Sequence, residues 1–483
     1  MKKKWWILIS VALAFFLVNF DGGLIGIMLP TIQTSFGAEF YQVQWISLAG
    51  SLALVVTLAL AGRLGDALGK KAVFSVGALI YLAGTILFAL SPSVTTAILF
   101  RVIQGVGLAV FLTLGTAIVT EVFEERRRGL ALGIYNLLGL VGLLAGPVAA
   151  GALLQAAAWN TAFWVAAALS AVVLLLARLV LPAPKERSKL ALDVKGTALL
   201  LAVLASLLLA LTFGQNEGFT NPLVLGLFGV FAVALVVFII VEKRAAEPII
   251  LIALFRNRKF VINFILLLFS MIALSGYSFL MPFYMQNVLR LSAMEMGVTL
   301  AIVFGLVMAL VAPVGGVLSD KIGSPRVTMI GILFLLGGTI GASWLDTAST
   351  QLAVLLHFLP IGMGMGLIVT PATSAIMGTI PSNRLGMGSG LVSIAINMAQ
   401  TMGIAILGSF WSSRVYSVFD AVPDGGASSA PPDIQAGALR ETFILAACLL
   451  AIAFVLNIWE VFAKNKPADS GRTENILEEN MHV

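Results

Sequence analysis

Long apolar runs make up most of this chain, and short polar segments separate them. A membrane-spanning helix needs about 20 mostly apolar residues, and about fourteen runs in the chain reach that length. The runs are continuous and do not alternate between apolar and polar residues, which favours helices over a β-barrel. The pattern therefore predicts an all-α polytopic membrane protein.

The composition excludes an ordinary soluble protein. Of the 483 residues, 60% are hydrophobic and 11% are charged, whereas soluble domains contain about 45–50% apolar and about 25% charged residues. The formal net charge of +6 does not indicate a nucleic-acid partner, because the basic residues lie in short loops between apolar runs. Cys448 is the single cysteine, so no disulfide framework and no cysteine metal site are expected.

Lysine and arginine are distributed unequally between alternate loops. When the loops are assigned to alternate sides of a membrane, 25 of the 29 basic residues fall on the side that holds both chain termini. The positive-inside rule then predicts cytoplasmic termini, and an even number of spans follows. We expect the chain to lie in the cell (inner or plasma) membrane. The first apolar run reaches about residue 30 and is too long for a cleaved signal peptide.

A short charged loop occurs twice. Residues 62–69 and 316–323 both read Gly-x3-Asp-x2-Gly, and their first glycines are 254 residues apart (316 − 62). Duplicated halves are typical of secondary transporters. We therefore expect two six-helix bundles with two inserted helices between them. The predicted units are an N-terminal bundle (1–185), the inserted pair with its linkers (186–258), a C-terminal bundle (259–465) and a polar cytoplasmic tail (466–483).

One long loop is expected on the outside, over residues 413–438. Its composition is rich in Gly, Ser, Ala and Pro, which predicts turns and a hairpin around Asp424.

Two charged residues lie inside predicted spans. Asp21 sits well within the first span, where an ionised acid costs several kcal/mol unless it is paired or faces water. Burial favours the neutral acid and a nearby cation favours the charged form, so such a group can bind and release a proton. Arg101 needs an acid or backbone carbonyls as partner, and Asp21 is the natural candidate. The alternatives are a structural ion pair, or an Arg101 side chain that reaches the membrane surface.

The repeated loop contains Gly62, Asp66, Gly69 and Lys70 in its first copy and Asp320 in its second. Glycine permits a tight turn, and an aspartate can cap a helix or pair with a cation. The first copy lacks a glycine at position 64 and a Ser or Thr at position 71, so it is not a phosphate-binding loop. This argues against an ATPase.

Four motifs occur in a recognisable order. They are residues 20–32 in the first span, 45–66 in the second span and its loop, 101–105 in the fourth span, and 142–151 in the fifth. Together they resemble the fourteen-span drug:proton antiporters of the major facilitator superfamily, over nearly the whole chain. The resemblance implies the major facilitator fold. It also implies a proton-coupling role for Asp21 and Arg101, a gating role for the repeated loop, and an antiporter motif formed by Gly142, Gly146, Pro147 and Gly151.

The chain departs from the pattern of that family at four positions. Gly23 and Gly26 stand where polar residues are usual, Gly50 stands where a tyrosine is usual, and Ala67 stands where a basic residue is usual. The three glycines indicate a wider or less polar pocket, which argues against a typical cationic drug as substrate.

Other polar residues in the spans are candidates for the substrate cavity. They are Tyr135, Asn136, Tyr277, Asn397 and Gln400. Hydrogen bonds between helices explain each of them as well.

The sequence thus predicts a transporter and not an enzyme, since no nucleophile–base set or metal-ligand cluster emerges. The expected function is proton-driven export of amphipathic or lipid-like compounds by a monomer that uses no cofactor. The alternatives are a proton-coupled uptake symporter for a metabolite, a lipid flippase or exporter, and a channel or membrane-embedded enzyme.

Overall fold

The computed structural model describes residues 2–182, 193–245, 249–250, 252–380, 385–418 and 426–462. Within these ranges every regular element is helical, and fourteen helical spans are long and apolar enough to cross a membrane. The predicted all-α class and the count of fourteen spans are confirmed.

The helices are α1 (Lys2–Phe36), α2 (Phe40–Leu68), α3 (Lys70–Ala89), α4 (Val94–Val122), α5 (Glu125–Ala156), α6 (Asn160–Val180), α7 (Val194–Glu217), α8 (Pro222–Arg244), α9 (Arg258–Phe283), α10 (Ala293–Leu300), α11 (Met308–Ile322), α12 (Ser324–Ala342), α13 (Gln351–Met377), α14 (Leu385–Tyr416) and α15 (Pro432–Phe462). A π-helical segment, Ala301–Val307, joins α10 and α11 into one span. A second π-helical segment, Tyr284–Val288, extends α9.

The first six helices pack on one another, and so do the last helices. In the first group α1 contacts α4, α5 and α6, while α2 and α3 contact α4. In the second group α9 contacts α13, α14 and α15, and α12 contacts α13 and α15. Small residues permit this close packing in a membrane: a Cβ on Gly107 of α4 would lie 2.5 Å from the Cβ of Tyr81 in α3.

The predicted outside loop is shorter than 413–438. Helix α14 continues to Tyr416, and α15 already begins at Pro432. Proline is favoured at the first helical position, and an ion pair between Arg414 and Glu441 joins the two helices here. The hairpin predicted around Asp424 and the tail 466–483 lie outside the described residues.

The inserted helices lie beside the seam between the two groups. Helix α7 packs on α8 and also contacts α2 and α14. Trp45 Nε1 donates to Thr212 Oγ1 at 3.1 Å, and Gln215 Nε2 donates to Gln44 Oε1 at 3.1 Å. Gln44 Nε2 in turn donates to the Ile404 carbonyl at 2.9 Å. A polar chain therefore links α7, α2 and α14, whereas most of α8 is exposed to the surroundings of the protein.

The two bundles meet at one side of the membrane-spanning body. Because fourteen spans are crossed, α1 begins and α15 ends at the same face, which we call the terminal face. At the opposite face the Phe40 ring lies 5.2 Å from the Phe283 ring and 4.8 Å from the Trp411 ring. Ser428 Oγ donates to Gln33 Oε1 at 2.8 Å. These contacts close the seam at the opposite face.

Contact between α5 and the span of α10 and α11 can be followed along the seam towards the terminal face. A Cβ on Gly297 of α10 would lie 2.3 Å from the Pro147 carbonyl of α5, so the helices touch there. A Cβ on Gly305 would lie 2.5 Å from Leu144 Cδ2, so the contact continues about one turn past Pro147. Gly133 and Asn136 lie about three to four turns nearer the terminal face than Pro147, and both are exposed.

Candidate functional site

Asp21 lies in the middle of α1 and is 1% exposed. Its Oδ2 is 2.9 Å from Arg101 Nη1, and its Oδ1 is 3.2 Å from the same nitrogen. The Tyr81 hydroxyl donates to Oδ1 at 3.2 Å. The carboxylate is therefore held by one cation and one neutral donor, from α4 and α3.

Arg101 lies in α4 and is 5% exposed. Its Nη1 also donates to Gln104 Oε1 at 2.8 Å, and Gln104 Nε2 donates to Thr85 Oγ1 at 2.9 Å. The guanidinium carbon lies 5.6 Å from the centre of the Phe88 ring. Spacings of three and four residues place Arg101 and Gln104, like Tyr81 and Thr85, on one helix face each. A continuous polar network thus crosses α1, α3 and α4.

The sequence predicted Asp21 and Arg101 as partners, and the structure places them in contact. The sequence did not identify Tyr81 or Thr85 as members of this network. Their spacing of four residues in an otherwise apolar α3 was the available signal.

Two glycines that replace the usual polar residues have a packing explanation. A Cβ on Gly23 would lie 2.4 Å from Pro147 Cδ, so any side chain there would push α1 away from α5. A Cβ on Gly50 would lie 3.3 Å from the Arg101 carbonyl and 3.5 Å from its Nε. Both glycines are therefore filled by neighbours and do not widen a pocket. Only Gly26 has open space, with no atom within 4 Å of an added Cβ among the described residues.

The antiporter motif connects the acid-bearing helix with the other bundle. Cβ atoms on Gly142 and Gly146 would lie 2.3 Å from the Phe16 carbonyl and 2.6 Å from the Phe20 carbonyl of α1. A Cβ on Gly151 would lie 2.5 Å from the Ala293 carbonyl, at the start of α10. Helix α5 therefore fits closely against α1 on one side and against α10 on the other.

The repeated loop has the same backbone form in both copies. Gly69 ends α2 with φ +94°, and Gly323 ends α11 with φ +90°. Residues with a side chain rarely adopt such angles, so glycine is required at both turns. This shared geometry accounts for the spacing seen in the sequence.

Lys70 of the first copy pairs with acids of its own bundle. Lys70 Nζ is 2.7 Å from Glu121 Oε2 and 3.9 Å from Asp66 Oδ1. Gly62 packs against Thr113, whose methyl carbon would lie 3.4 Å from an added Cβ. Asp320, in the second copy, is exposed.

Two of the candidate substrate residues are engaged in packing. Tyr135 is 1% exposed, and its ring stacks on Phe15 with centroids 4.5 Å apart. Tyr277 is 0% exposed, and its hydroxyl lies 2.9 Å from Thr339 Oγ1. Neither tyrosine reaches an open surface in this conformation.

The three amide candidates are more accessible. Asn136 of α5 is exposed. Asn397 is half-buried and donates to the Ser393 carbonyl of its own helix at 2.8 Å. The Gln400 side chain is half-buried, and its backbone carbonyl accepts from Ser275 Oγ at 2.9 Å.

Comparisons with known proteins agree with the geometry. The family model described as Major Facilitator Superfamily matches residues 11–404. The chain is 30% identical over 445 residues to a tetracenomycin C resistance and export protein of Streptomyces glaucescens, covering 91% of this chain and 82% of that protein. It is 29% identical over 420 residues to the riboflavin transporter RibZ of Clostridioides difficile (strain 630), covering 86% of this chain and 90% of that protein.

A solved structure has the same fold. The crystal structure of a bacterial homologue of the human lysosomal transporter Spinster, inward-facing and unoccupied, matches with a TM-score of 0.67. The match covers 96% of this chain and 99% of that chain at 16% sequence identity. At that identity the likeness extends to the fold alone.

Proposed function

Because the chain belongs to the major facilitator superfamily and its fourteen spans fit the fourteen-span drug:proton antiporters, we propose that it is a proton-coupled antiporter. In this proposal it exports amphipathic or hydrophobic compounds by alternating access. It acts as a monomer in the plasma membrane, uses no cofactor and takes its energy from the proton gradient.

The buried pair of Asp21 and Arg101 carries this proposal. A carboxylate that is 1% exposed within a membrane span is costly unless it has a function or a partner. When a proton binds, Asp21 loses its charge and its hold on Arg101 weakens. Arg101 then keeps its bond to Gln104 and its contact with the Phe88 ring. The network therefore supports a site with two arrangements, one for each protonation state.

The antiporter motif supplies a route from this site to the seam. Gly146 lies against the Phe20 carbonyl, one residue before Asp21. Pro147, the next residue of α5, contacts Gly297 of α10. A shift of α1 on protonation would therefore alter the contact that closes the seam. Interlocking close-packed elements favour discrete shifts over gradual ones.

We propose that the terminal face is cytoplasmic, on the basis of the lysine and arginine distribution. Because contacts close the seam at the opposite face, we place the opening for substrate on the cytoplasmic side in this conformation. A substrate would enter beside Asn136 and the half-buried amides of α14. Leu137 and Val141, near Asn136 in α5, are exposed apolar side chains, which suits an amphipathic compound. The relative named for tetracenomycin C resistance and export supports the outward direction.

The experiment uses purified protein in liposomes with a pH-sensitive dye inside. A panel of fluorescent amphipathic compounds, including one phospholipid, is offered with and without an imposed pH gradient. Wild type should move protons when a substrate is present, and Asp21→Asn should not. Asp433→Asn changes an exposed acid in the first turn of α15 and serves as the matched control. Equal proton movement by wild type and Asp21→Asn would overturn the proposal.

A second candidate is transport of a metabolite with a planar or polar head. The identity of 29% to a protein named as a riboflavin transporter favours it. Labelled riboflavin in the same liposomes tests it, with the gradient in each direction. Accumulation driven by inward protons would favour a symporter, and gradient-driven efflux would favour the antiporter.

A further inference from the structure

Two acidic residues of the inserted helices lie at the terminal face. Asp193 caps α7, and its Oδ1 accepts from the Gly196 backbone at 2.8 Å. Glu242 lies in the last turn of α8 and is 3% exposed, an unusual burial for an acid. Its Oε2 accepts from the Ile250 backbone at 3.3 Å. One oxygen of each carboxylate is thus engaged.

The other two oxygens lie beside Gly196. Asp193 Oδ2 and Glu242 Oε1 are both buried and have no hydrogen-bond partner among the described residues. A Cβ on Gly196 would lie 2.2 Å from Asp193 Oδ2 and 2.8 Å from Glu242 Oε1. The two oxygens are therefore separated by at most the sum of these distances, 5.0 Å. Gly196 leaves the space that lets them approach.

Two ionised carboxylates in such a place are unfavourable. A buried charge without a partner is costly, and two carboxylates that share a site repel when both are ionised. Arg63 of α2 lies within electrostatic range of Glu242. Among the described residues of the neighbouring elements, four other cations are exposed: Lys195, Lys243, Arg244 and Arg256. A proton between the two oxygens removes the repulsion and supplies the missing hydrogen bond.

We propose that Asp193 and Glu242 form a second proton-binding site, in which one proton is shared by Asp193 Oδ2 and Glu242 Oε1. The site is separate from Asp21 and lies at the terminal face of the inserted pair. It joins the start of α7, the end of α8 and the chain at Ile249–Ile250, which leads to the second bundle. Loss of the proton places two like charges side by side and loosens these three segments.

Infrared difference spectroscopy of the purified full-length protein tests the shared proton. At a pH at which exposed carboxyls are ionised, wild type should show the C=O stretch of a protonated carboxylic acid. The band should remain in Asp21→Asn and in Glu217→Gln, which changes an exposed acid at the far end of α7. Because the antiporter proposal lets Asp21 carry a proton as well, the decisive comparison is made in the Asp21→Asn background, where the band should disappear once Asp193→Asn and Glu242→Gln are added. A band that persists in that triple variant, or no such band in Asp21→Asn, overturns the proposal.

Hydrogen exchange supplies a second readout that does not need the triple variant. With correction for intrinsic exchange, amides at the start of α7 and in Ile252–Arg256 should exchange faster in wild type as the pH is raised. Glu242→Gln carries a permanent neutral group, so its exchange should stay slow and independent of pH. The same pH dependence in both proteins contradicts the proposal. Slowing by calcium or sodium ions without a carboxylic acid band would assign the site to a metal cation and also overturn it. Asp21→Asn should keep the carboxylic acid band of Asp193 and Glu242 and the pH-dependent exchange, which separates this proposal from the antiporter proposal.

Discussion

Removal of one partner of the Asp21–Arg101 pair should be much more harmful than removal of both. The two side chains are 1% and 7% exposed, and Arg101 Nη1 contacts both carboxylate oxygens. Breaking a buried pair by removing one partner costs about 3–5 kcal/mol, because the other charge stays buried alone. Replacing both partners by apolar residues of similar size is often nearly neutral. Arg101→Met should therefore destabilise the protein by about 3–5 kcal/mol.

The double variant Asp21→Leu/Arg101→Met should recover much of that loss. The part that remains comes from Tyr81 and Gln104, which each lose a hydrogen-bond partner, at about 1–3 kcal/mol for each buried group. Equilibrium unfolding in mixed micelles, followed by tryptophan fluorescence, gives the free energies for a double-mutant cycle. Arg440→Met, at an exposed position of α15, is the control and should change stability by less than about 0.5 kcal/mol. Additive effects of the two single substitutions would refute the buried pair.

Three further predictions concern other parts of the molecule. Gly146→Ala should reduce transport and separate α1 from α5, because its Cβ would lie 2.6 Å from the Phe20 carbonyl. Gly133→Ala is the matched control, because an added Cβ there has no atom within 4 Å. Transport assays, together with cross-linking between α1 and α5, compare the two variants. Gly69→Ala should cost about 1–3 kcal/mol, because φ is +94° there, whereas Gly129→Ala near the start of α5 should be neutral or slightly stabilising. Thermal unfolding distinguishes the two variants, and equal effects would contradict the turn geometry. The hydrogen bond and charge of Lys4 lower the pKa of Glu124, so Lys4→Gln should raise that pKa towards its usual value, as NMR of labelled glutamate can measure. Since the pKa is lowered in the folded protein, the stabilisation by this pair is present at neutral pH and is lost as the pH falls through the lowered value; an unchanged pKa in Lys4→Gln would contradict the pairing.

The fold was largely predictable because a membrane restricts the possible structures. Apolar runs of about 20 residues leave few alternatives to helices, and the repeated loop marked the duplication. Gly69 and Gly323 show why that repeat was informative, since both occupy turns that need a positive φ. The helix ends were less predictable. Polar residues near 413–438 suggested a long loop, but the Arg414–Glu441 pair lies between two longer helices.

The candidate site was predictable in its charged residues only. A lone acid and a lone arginine within apolar spans attract attention because each is costly in a membrane. Neutral residues such as Tyr81 and Thr85 carry no such cost, and their roles depend on how α3 is oriented. The glycines at 23 and 50 were interpreted as space for a pocket. Their contacts with Pro147 and Arg101 depend on helix packing, which no single-sequence pattern contains.

The central claim is that Asp21 binds a proton and that substrate binding releases it. Substrate can be added to purified protein in weakly buffered detergent solution, and the released protons can be counted with a pH indicator. The account predicts proton release from wild type and from Asp433→Asn, and none from Asp21→Asn while the substrate still binds. Equal release from wild type and Asp21→Asn would contradict it.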